Sequence, residues 1–532
     1  KMLKSFKWKK SMRWADLDDK WIRPIKEILC LFDSHVLKFS FAGVDSSSFT
    51  YGNYLYNEKK IKCDSIKDYK NTLKKNYVIL DRDDRKKMII SGLSDISSKK
   101  EITFDIPDDL LTETSSLVEY PNLMVGCFDK EYFSMPDFLL ITVITGQQKY
   151  FVSRDRNGKL SNLFSFITNH ETDKFNMIKK GNERVLKARF NDALFFLKED
   201  KSIKLEDRNK KLKEITYFGN LGNVEDKSIR LLSLSVYISK VINFDLNKNH
   251  KKILLISKSD LTSELVKEFP NLQGLVGSYY AELEGYTKEE SDALKNQYRP
   301  VHSSDSCPKS QLSICLAVSE KIDQISGAFL SGNKPTGSRD PFALRRSALG
   351  IIRILIENKV DLEIKDLINF NYQLFKCFKF DEKFDVNEVI SFTNIRLFVF
   401  LKDMGFRDDV LKSVISTNEC NPYLVYYKVK ILTDFISINE GKNFLSAYKR
   451  IDSILVNIEN KKIIFDKNFF SEKEEKNLYD SMLIFQKRLN DYDKNKDFLK
   501  VITELQKISS LINLFFDNVK VNIEDEKKKE IE

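Results

Sequence analysis

The sequence predicts an α+β protein, a mixed α/β N-terminal body followed by a mostly α-helical remainder. Three observations carry this. Before about residue 180, short apolar runs such as Leu123–Cys127 and Leu163–Thr168 sit beside turn signals at Tyr120-Pro121-Asn122 and Asn157-Gly158. Beyond it, apolar residues recur at steps of three and four, as in Leu186, Phe190, Ala193 or Leu194, and Leu197. The chain has 532 residues, 42% hydrophobic and 31% charged, which is room for several buried cores in a folded protein.

Taken in order, residues 1–15 are basic and aromatic, with Lys7, Trp8, Lys9, Lys10, Arg13 and Trp14. An apolar segment, Trp21–Phe32, and strand-like alternation over Val36–Phe41 follow. A polar helix is expected over Ile66–Asn76 and a compact apolar element over Pro136–Val143. Gly181-Asn182-Glu183 is expected to start a helix that leaves Arg184, Lys187, Arg189 and Lys198 outside its apolar stripe. Further helices are expected over Asp226–Ile242, Lys258–Phe269, Glu289–Tyr298 and Leu312–Leu330, the last carrying Asp323. Residues 358–410 read as short Phe-rich helices, before Asn443–Val456, Glu472–Asn490 and Lys496–Phe516. The charged tail Glu524–Glu532 is expected to fray.

The sharpest stretch is Gly332–Arg346. Gly332 and Gly337 suit a tight loop that Pro335 stiffens. Asp340 is placed to cap a helix and Pro341 to take its first position, with the helix running to about Glu357. At about 100° per residue, Arg346 and Arg353 fall on one line and Arg345 about a quarter-turn away. Lys334 and Arg339 add charge at the entrance, so the helix aims a basic stripe that suits phosphate or, equally on this stretch alone, a solvated face with no partner. A nucleotide-binding P-loop is excluded. The glycine spacing fits, but Ser338-Arg339 stands where Lys-Ser/Thr is needed, and a helix end leads in rather than a strand.

Net charge is +10, from 88 Lys+Arg against 78 Asp+Glu, which permits a polyanionic partner without requiring one. Seven dispersed cysteines with no Cys-x-x-Cys pair point to a reducing compartment and against a zinc ribbon. Four scattered histidines supply neither histidine catalysis nor a metal-ligand spacing. No apolar run is long enough to span a bilayer.

Several stretches together resemble one family, the beta subunit of the bacterial tetrameric glycyl-tRNA synthetase. They include Lys10-Ser11-Met12-Arg13-Trp14, Val118-Glu119-Tyr120-Pro121-Asn122, Gln147-Gln148-Lys149-Tyr150-Phe151 and Gly181-Asn182-Glu183-Arg184-Val185-Leu186. Lys258-Ser259-Asp260-Leu261-Thr262, Glu268-Phe269-Pro270, Leu272-Gln273-Gly274, the Gly332–Arg346 stretch, Lys449-Arg450-Ile451 and Phe515-Phe516-Asp517-Asn518-Val519 continue it. Each fragment is weak alone; their number, order and spacing make the match specific.

The resemblance implies a mixed α/β body over 1–178, a helical HD-like domain over 179–360, a helical linker over 361–410 and a helical anticodon-binding domain over 411–532. It implies a chain that lacks segments at both ends. It also implies a cytoplasmic ligase of two beta and two alpha subunits that attaches glycine to tRNA(Gly). ATP and Mg2+ would bind at the alpha subunit, with no cofactor, metal or catalytic residue on this chain. The tRNA-binding candidates are Arg184, Lys187 and Arg189 as one patch, Lys334, Arg339, Arg345, Arg346 and Arg353 as a second, and Lys449 with Arg450 as a third. Arg345 or Arg346 would alternatively hold carboxylates within the protein. Two other readings remain beside this one: a stand-alone RNA-binding or scaffold protein, and a metal-dependent HD phosphohydrolase. The hydrolase needs a His-Asp pair and further ligands, whereas the middle region offers Asp260 and Asp323 but no His-Asp pair.

Overall fold

The structure, a computed structural model, describes residues 2–337, 339–378, 385–415, 420–455, 470, 472–494 and 496–519. Ser338 of the central loop, Val456 and the tail Glu524–Glu532 lie outside them. The chain forms two compact units, Lys1–Asp200 and Lys201–Glu532. Helices dominate and the sheets are small, in keeping with the α+β expectation. No helix among the described residues is long and apolar enough to cross a membrane.

The first unit is built on a four-stranded antiparallel sheet. Its strands are β1 (Thr103–Phe104), β2 (Asn122–Cys127), β3 (Phe151–Arg154) and β4 (Leu160–Thr168), in spatial order β1-β3-β4-β2. The long β4 pairs with β2 from Leu163↔Cys127 to Thr168↔Asn122. Gly126 of β2 lies under the Phe164 ring, where any Cβ would collide with it. Helices α1 (Arg82–Lys100) and α2 (Asp108–Leu117) cover one side, and Ile89, Leu93, Leu110 and Leu111 pack on Phe151.

Helix α1 has no counterpart in the sequence reading. Only Ile89 and Leu93 of its 19 residues are buried, so its apolar period is too thin to stand out among Lys, Asp and Ser. Its Asp81 cap, which accepts from Asp83 N and Asp84 N, is the surviving signal.

Helix α3 (Met177–Lys201) packs against the segments that flank the sheet strands, at Phe128, Tyr132 and Tyr150. Leu186, Phe190, Ala193 and Leu197 are buried, as the period predicts. Phe190 packs edge-on against Phe128, with ring centroids 5.1 Å apart, and 5.0 Å from Tyr132. Polar contacts fix the rotation of the helix. Tyr150 Oη donates to Asn182 Oδ1 at 2.6 Å, Cys127 N to Glu183 Oε1 at 2.9 Å and Tyr132 Oη to Asn191 Oδ1 at 2.7 Å. The expected start at Gly181 is corrected. The helix begins four residues earlier because Asp173 accepts from Ile178 N and Lys179 N, so the end is capped from outside.

The second unit is helical. The longer helices that matter here are α4 (Val224–Val241), α5 (Lys288–Asn296), α6 (Gln311–Leu330), α7 (Leu344–Glu357), α8 (Ile364–Phe375), α9 (Val386–Asp403), α10 (Pro422–Ser437), α11 (Asn439–Leu455), α12 (Lys473–Lys494) and α13 (Phe498–Asn518). Helix α6 is the axis. All its residues except Gln311 and Gln324 are buried, the pattern of a helix enclosed on every side. α7 joins two cores: Ile351, Ile354 and Leu355 face α6, whereas Ile352 and Ile356 meet Leu397 and Leu401 of α9 and Val425 and Val429 of α10. Ala447 of α11 with Ile508 and Ile512 of α13 form a separate small core.

Two expectations are corrected in this unit. The helix after the central loop starts at Leu344, not Pro341. Phe342 packs on Phe218, and its carbonyl accepts from Gln324 Nε2 at 2.9 Å, which holds Pro341–Ala343 out of the helix. Asp340 still caps, reaching Leu344 N at 2.8 Å and Arg345 N at 3.0 Å. The expected helix from Lys258 to Phe269 is broken into a 3-10 turn, Ser259–Thr262, and a short helix, Glu264–Glu268, capped by Ser263. The Asp260 carboxylate is drawn aside to accept from Gly274 N and Gly277 N, at 2.6 and 3.2 Å.

Phe190→Ala is expected to destabilise the first unit by about 3–5 kcal/mol, because it empties a site walled by two aromatic rings. Hydrogen exchange at the slowest α3 amides measures it, since a chain of two units need not unfold in one step.

Candidate nucleic-acid interface

Contact with a polyanion needs cations that are exposed and not already held by carboxylates. The basic residues that the sequence picks out divide on that criterion.

On α3, Arg184 is exposed and its side chain has no partner among the described residues. Lys187 lies 2.8 Å from Asp129, with both side chains more than half exposed. Arg189 lies 3.9 Å from Asp192. At about 100° per residue it points about 140° away from Arg184. The three do not form one patch, because the helix phase separates Arg189 from the other two.

The second group is reduced further. Lys334 pairs with Glu388, and Arg345 Nη2 donates to Gly337 O at 2.6 Å. Arg353 is turned inward, with a side chain only 12% exposed. It donates to His302 O, Ser303 O and Asp305 O at 3.2, 2.9 and 2.8 Å, and to Glu357 at 2.9 Å. It shares a line with Arg346 on α7, as expected, but the 302–305 loop covers that end of the line. Arg339 and Arg346 remain exposed without side-chain partners among the described residues.

On α11, Lys449 is exposed and unpartnered among the described residues. Arg450 is exposed, and its guanidinium lies 4.6 Å from the centre of the Phe516 ring on α13. That cation–π contact ties the basic end of α11 to the neighbouring helix.

The two acidic residues of α6 are held by internal cations. Asp323 pairs with Arg230 through Nε–Oδ1 at 2.7 Å and Nη2–Oδ2 at 3.3 Å. Glu320 takes Lys227 on one oxygen and Lys258 on the other, both at 2.7 Å. Lys258 also donates to Tyr298 Oη at 2.7 Å. Lys321 donates to the carbonyls of Tyr298 and Arg299, at 3.1 and 2.8 Å. Burial pushes the Glu320 carboxyl up, but the two ammonium groups outweigh it and hold the pKa at about 2. Burial pulls Lys258 down to about 8 against the attraction of Glu320. Asp260 is pushed up by burial, countered by the backbone N–H of Gly274. No group of three or more His, Cys, Asp and Glu side chains among the described residues is placed to hold a metal ion. Of the two aspartates that the hydrolase reading would use, Asp323 is held by Arg230, and Asp260 accepts from Gly274 N and Gly277 N. The sequence reading missed Lys227, Arg230 and Lys258 as internal cations, because their carboxylate partners lie 62 or more positions away along the chain.

Residues 1–416 match the family model described as glycyl-tRNA synthetase beta subunit, and residues 444–531 match that of the DALR anticodon binding domain. The chain is 36% identical over 532 residues to the glycine--tRNA ligase beta subunit of Rickettsia canadensis (strain McKiel), a match that covers 99% of this chain and 77% of that protein. The corresponding protein of Rickettsia conorii (strain ATCC VR-613 / Malish 7) is 36% identical over 531 residues, with the same coverage. That of Rickettsia bellii (strain OSU 85-389) is 35% identical over 525 residues.

Glu320→Gln is expected to destabilise the second unit by about 3–5 kcal/mol, because it leaves two buried ammonium groups without their anion. The pH dependence has a definite sign. With a folded pKa of about 2 against an ordinary 4.5, Glu320 contributes stability that is fully present above pH 4.5 and is lost as pH falls towards 2. Urea unfolding across that window is expected to show a shallower pH dependence in Glu320→Gln than in the wild type.

Proposed function

The chain belongs to the glycyl-tRNA synthetase beta-subunit family, and on that premise we propose that it is the tRNA-binding subunit of a glycine–tRNA ligase. It works with an alpha subunit that holds glycine, ATP and Mg2+ and carries out the aminoacylation, in an assembly of two alpha and two beta subunits in the cytoplasm. The observation that carries this reading is the family match over residues 1–416, followed by an anticodon-binding match over residues 444–531. The exposed cations of α11 fall inside that second segment. Division of labour makes physical sense here. Remote contacts to a large substrate can position its reacting end, so the subunit that grips need not be the one that reacts.

Each of the three candidate groups keeps an exposed cation with no side-chain partner among the described residues: Arg184 in the first unit, Arg339 and Arg346 around the central loop, and Lys449 in the anticodon-binding segment. The hydrolase reading loses its support, since Asp260 caps a helix and Asp323 is held by Arg230. A stand-alone scaffold would bind RNA without assembling with an alpha subunit, so size-exclusion of the chain mixed with alpha subunit and tRNA(Gly) separates the two readings. Co-elution of all three is expected; RNA binding without alpha-subunit association would overturn the ligase reading.

Lys449→Ala is expected to weaken tRNA(Gly) binding and to lower the slope of log affinity against log salt by about 1, the signature of one lost phosphate contact. Filter binding over a range of salt concentrations measures both.

A further inference from the structure

We infer that the outer face of α3 is an RNA-binding strip composed of Lys180, Arg184, Lys187 and Lys198, with Phe195 set among them as a stacking surface for an unpaired base. The inference rests on the tRNA-binding reading above and extends its Arg184 and Lys187 group to a continuous strip on one helix of the first unit.

The strip follows from where the helix starts and how it is rotated. Because α3 begins at Met177, Lys180 belongs to the helix rather than to the loop before it. Lys180, Arg184, Lys187, Asn191, Phe195 and Lys198 then fall within an arc of about 80°, directed away from the buried face. From Lys180 to Lys198 the strip runs about 27 Å. No carboxylate falls in that arc: Glu183 is turned to Cys127 N, and Asp192 lies on the flank with Arg189.

The charges on the strip are also unspent. Lys180, Arg184 and Lys198 have no side-chain partner among the described residues, and Lys187 meets Asp129 only in a solvent-exposed pair. Some other cations of the same unit do find carboxylates, the half-buried Lys86, Lys149 and Arg154 with Asp108, Glu113 and Asp105, and the exposed Arg156 with Glu101. Like charges one turn apart, as at Lys180 and Arg184, work against the helix. A row of cations that the fold neither needs nor neutralises suits a row of phosphates. Phe195 points the same way. Its side chain is 59% exposed in the middle of the charged row, where burial would have been the ordinary outcome for a phenylalanine. Bases unpaired in a folded RNA stack on such rings.

The test compares two arginines on one helix. Arg184→Glu and Arg189→Glu make the same change of charge on exposed side chains, one on the strip and one off it. Arg184→Glu is expected to weaken tRNA(Gly) binding by about ten-fold at moderate salt and to reduce the salt slope, whereas Arg189→Glu changes affinity by less than about two-fold. Phe195→Ala is expected to weaken binding with an unchanged salt slope, because stacking releases no counterions. Melting curves confirm that each variant folds, and Lys198→Glu replaces Arg184→Glu if that variant does not. Equal effects at Arg184 and Arg189, or none at either, overturn the strip while leaving the tRNA-binding reading in place. Intact RNA binding with weakened alpha-subunit assembly in Arg184→Glu overturns it in favour of a protein interface. Absence of tRNA binding by the wild-type chain overturns both.

Discussion

The rotation of α3 about its own axis is the constraint on which the functional surface of the first unit depends. An apolar stripe fixes that rotation only loosely, because Leu186, Phe190, Ala193 and Leu197 would tolerate some slippage against a sheet. The side-chain hydrogen bonds at Asn182, Glu183 and Asn191 do not. Each joins α3 to a different part of the sheet side, and turning the helix by one residue, about 100°, would break all three. They lie between the cations in sequence; Asn182 and Glu183 lie on other edges of the helix, and Asn191 lies within the strip, where it accepts from Tyr132. The stretch from Gly181 to Asn191 therefore interleaves two kinds of residue, one set that locks the helix and one set that the lock exposes.

Charge is used in two opposite ways in this chain. In the helical body, Lys227, Arg230 and Lys258 are buried with Glu320 and Asp323 around a helix that has almost no exposed surface. Burying such groups costs several kcal/mol each unless they are closely paired, which ties the relative placement of α4 and α6 to the geometry of those pairs. The same pairs occupy the carboxylates of Glu320 and Asp323. On α3 and α11 the cations are exposed, and those without partners hold nothing within the fold. A helical body fixed by internal ion pairs and surfaces that carry uncommitted cations suit a protein that holds a large polyanion rather than one that transforms a small molecule.

Much of this was legible in the sequence, and the misses have physical causes. The helical period of α3, the strands β2 and β4, and α6 with its flanking loop were readable because their signals are local. The family was readable because many short fragments agree in order and spacing, and it brings the DALR segment with it. Arg346 and Arg353 could not be told apart, since they share a helical line; a loop about 50 residues earlier in the chain decides that one is covered. Lys180 was lost to a start placed at Gly181, although the capping group is Asp173, upstream of that residue. The break at Asp260 was hidden for a similar reason: its carboxylate serves a helix that begins at Leu275. Position along a local period is written in the sequence, whereas what lies over a side chain is settled by partners far away in it.

The most direct measurement of the central claim is glycylation of tRNA(Gly) by purified alpha subunit, with and without this chain. Alpha subunit alone is predicted to be nearly inactive on tRNA, because the binding energy that positions the acceptor end is missing. Addition of the chain is predicted to raise the rate until the two subunits are equimolar. A rate unchanged by the chain would contradict the account.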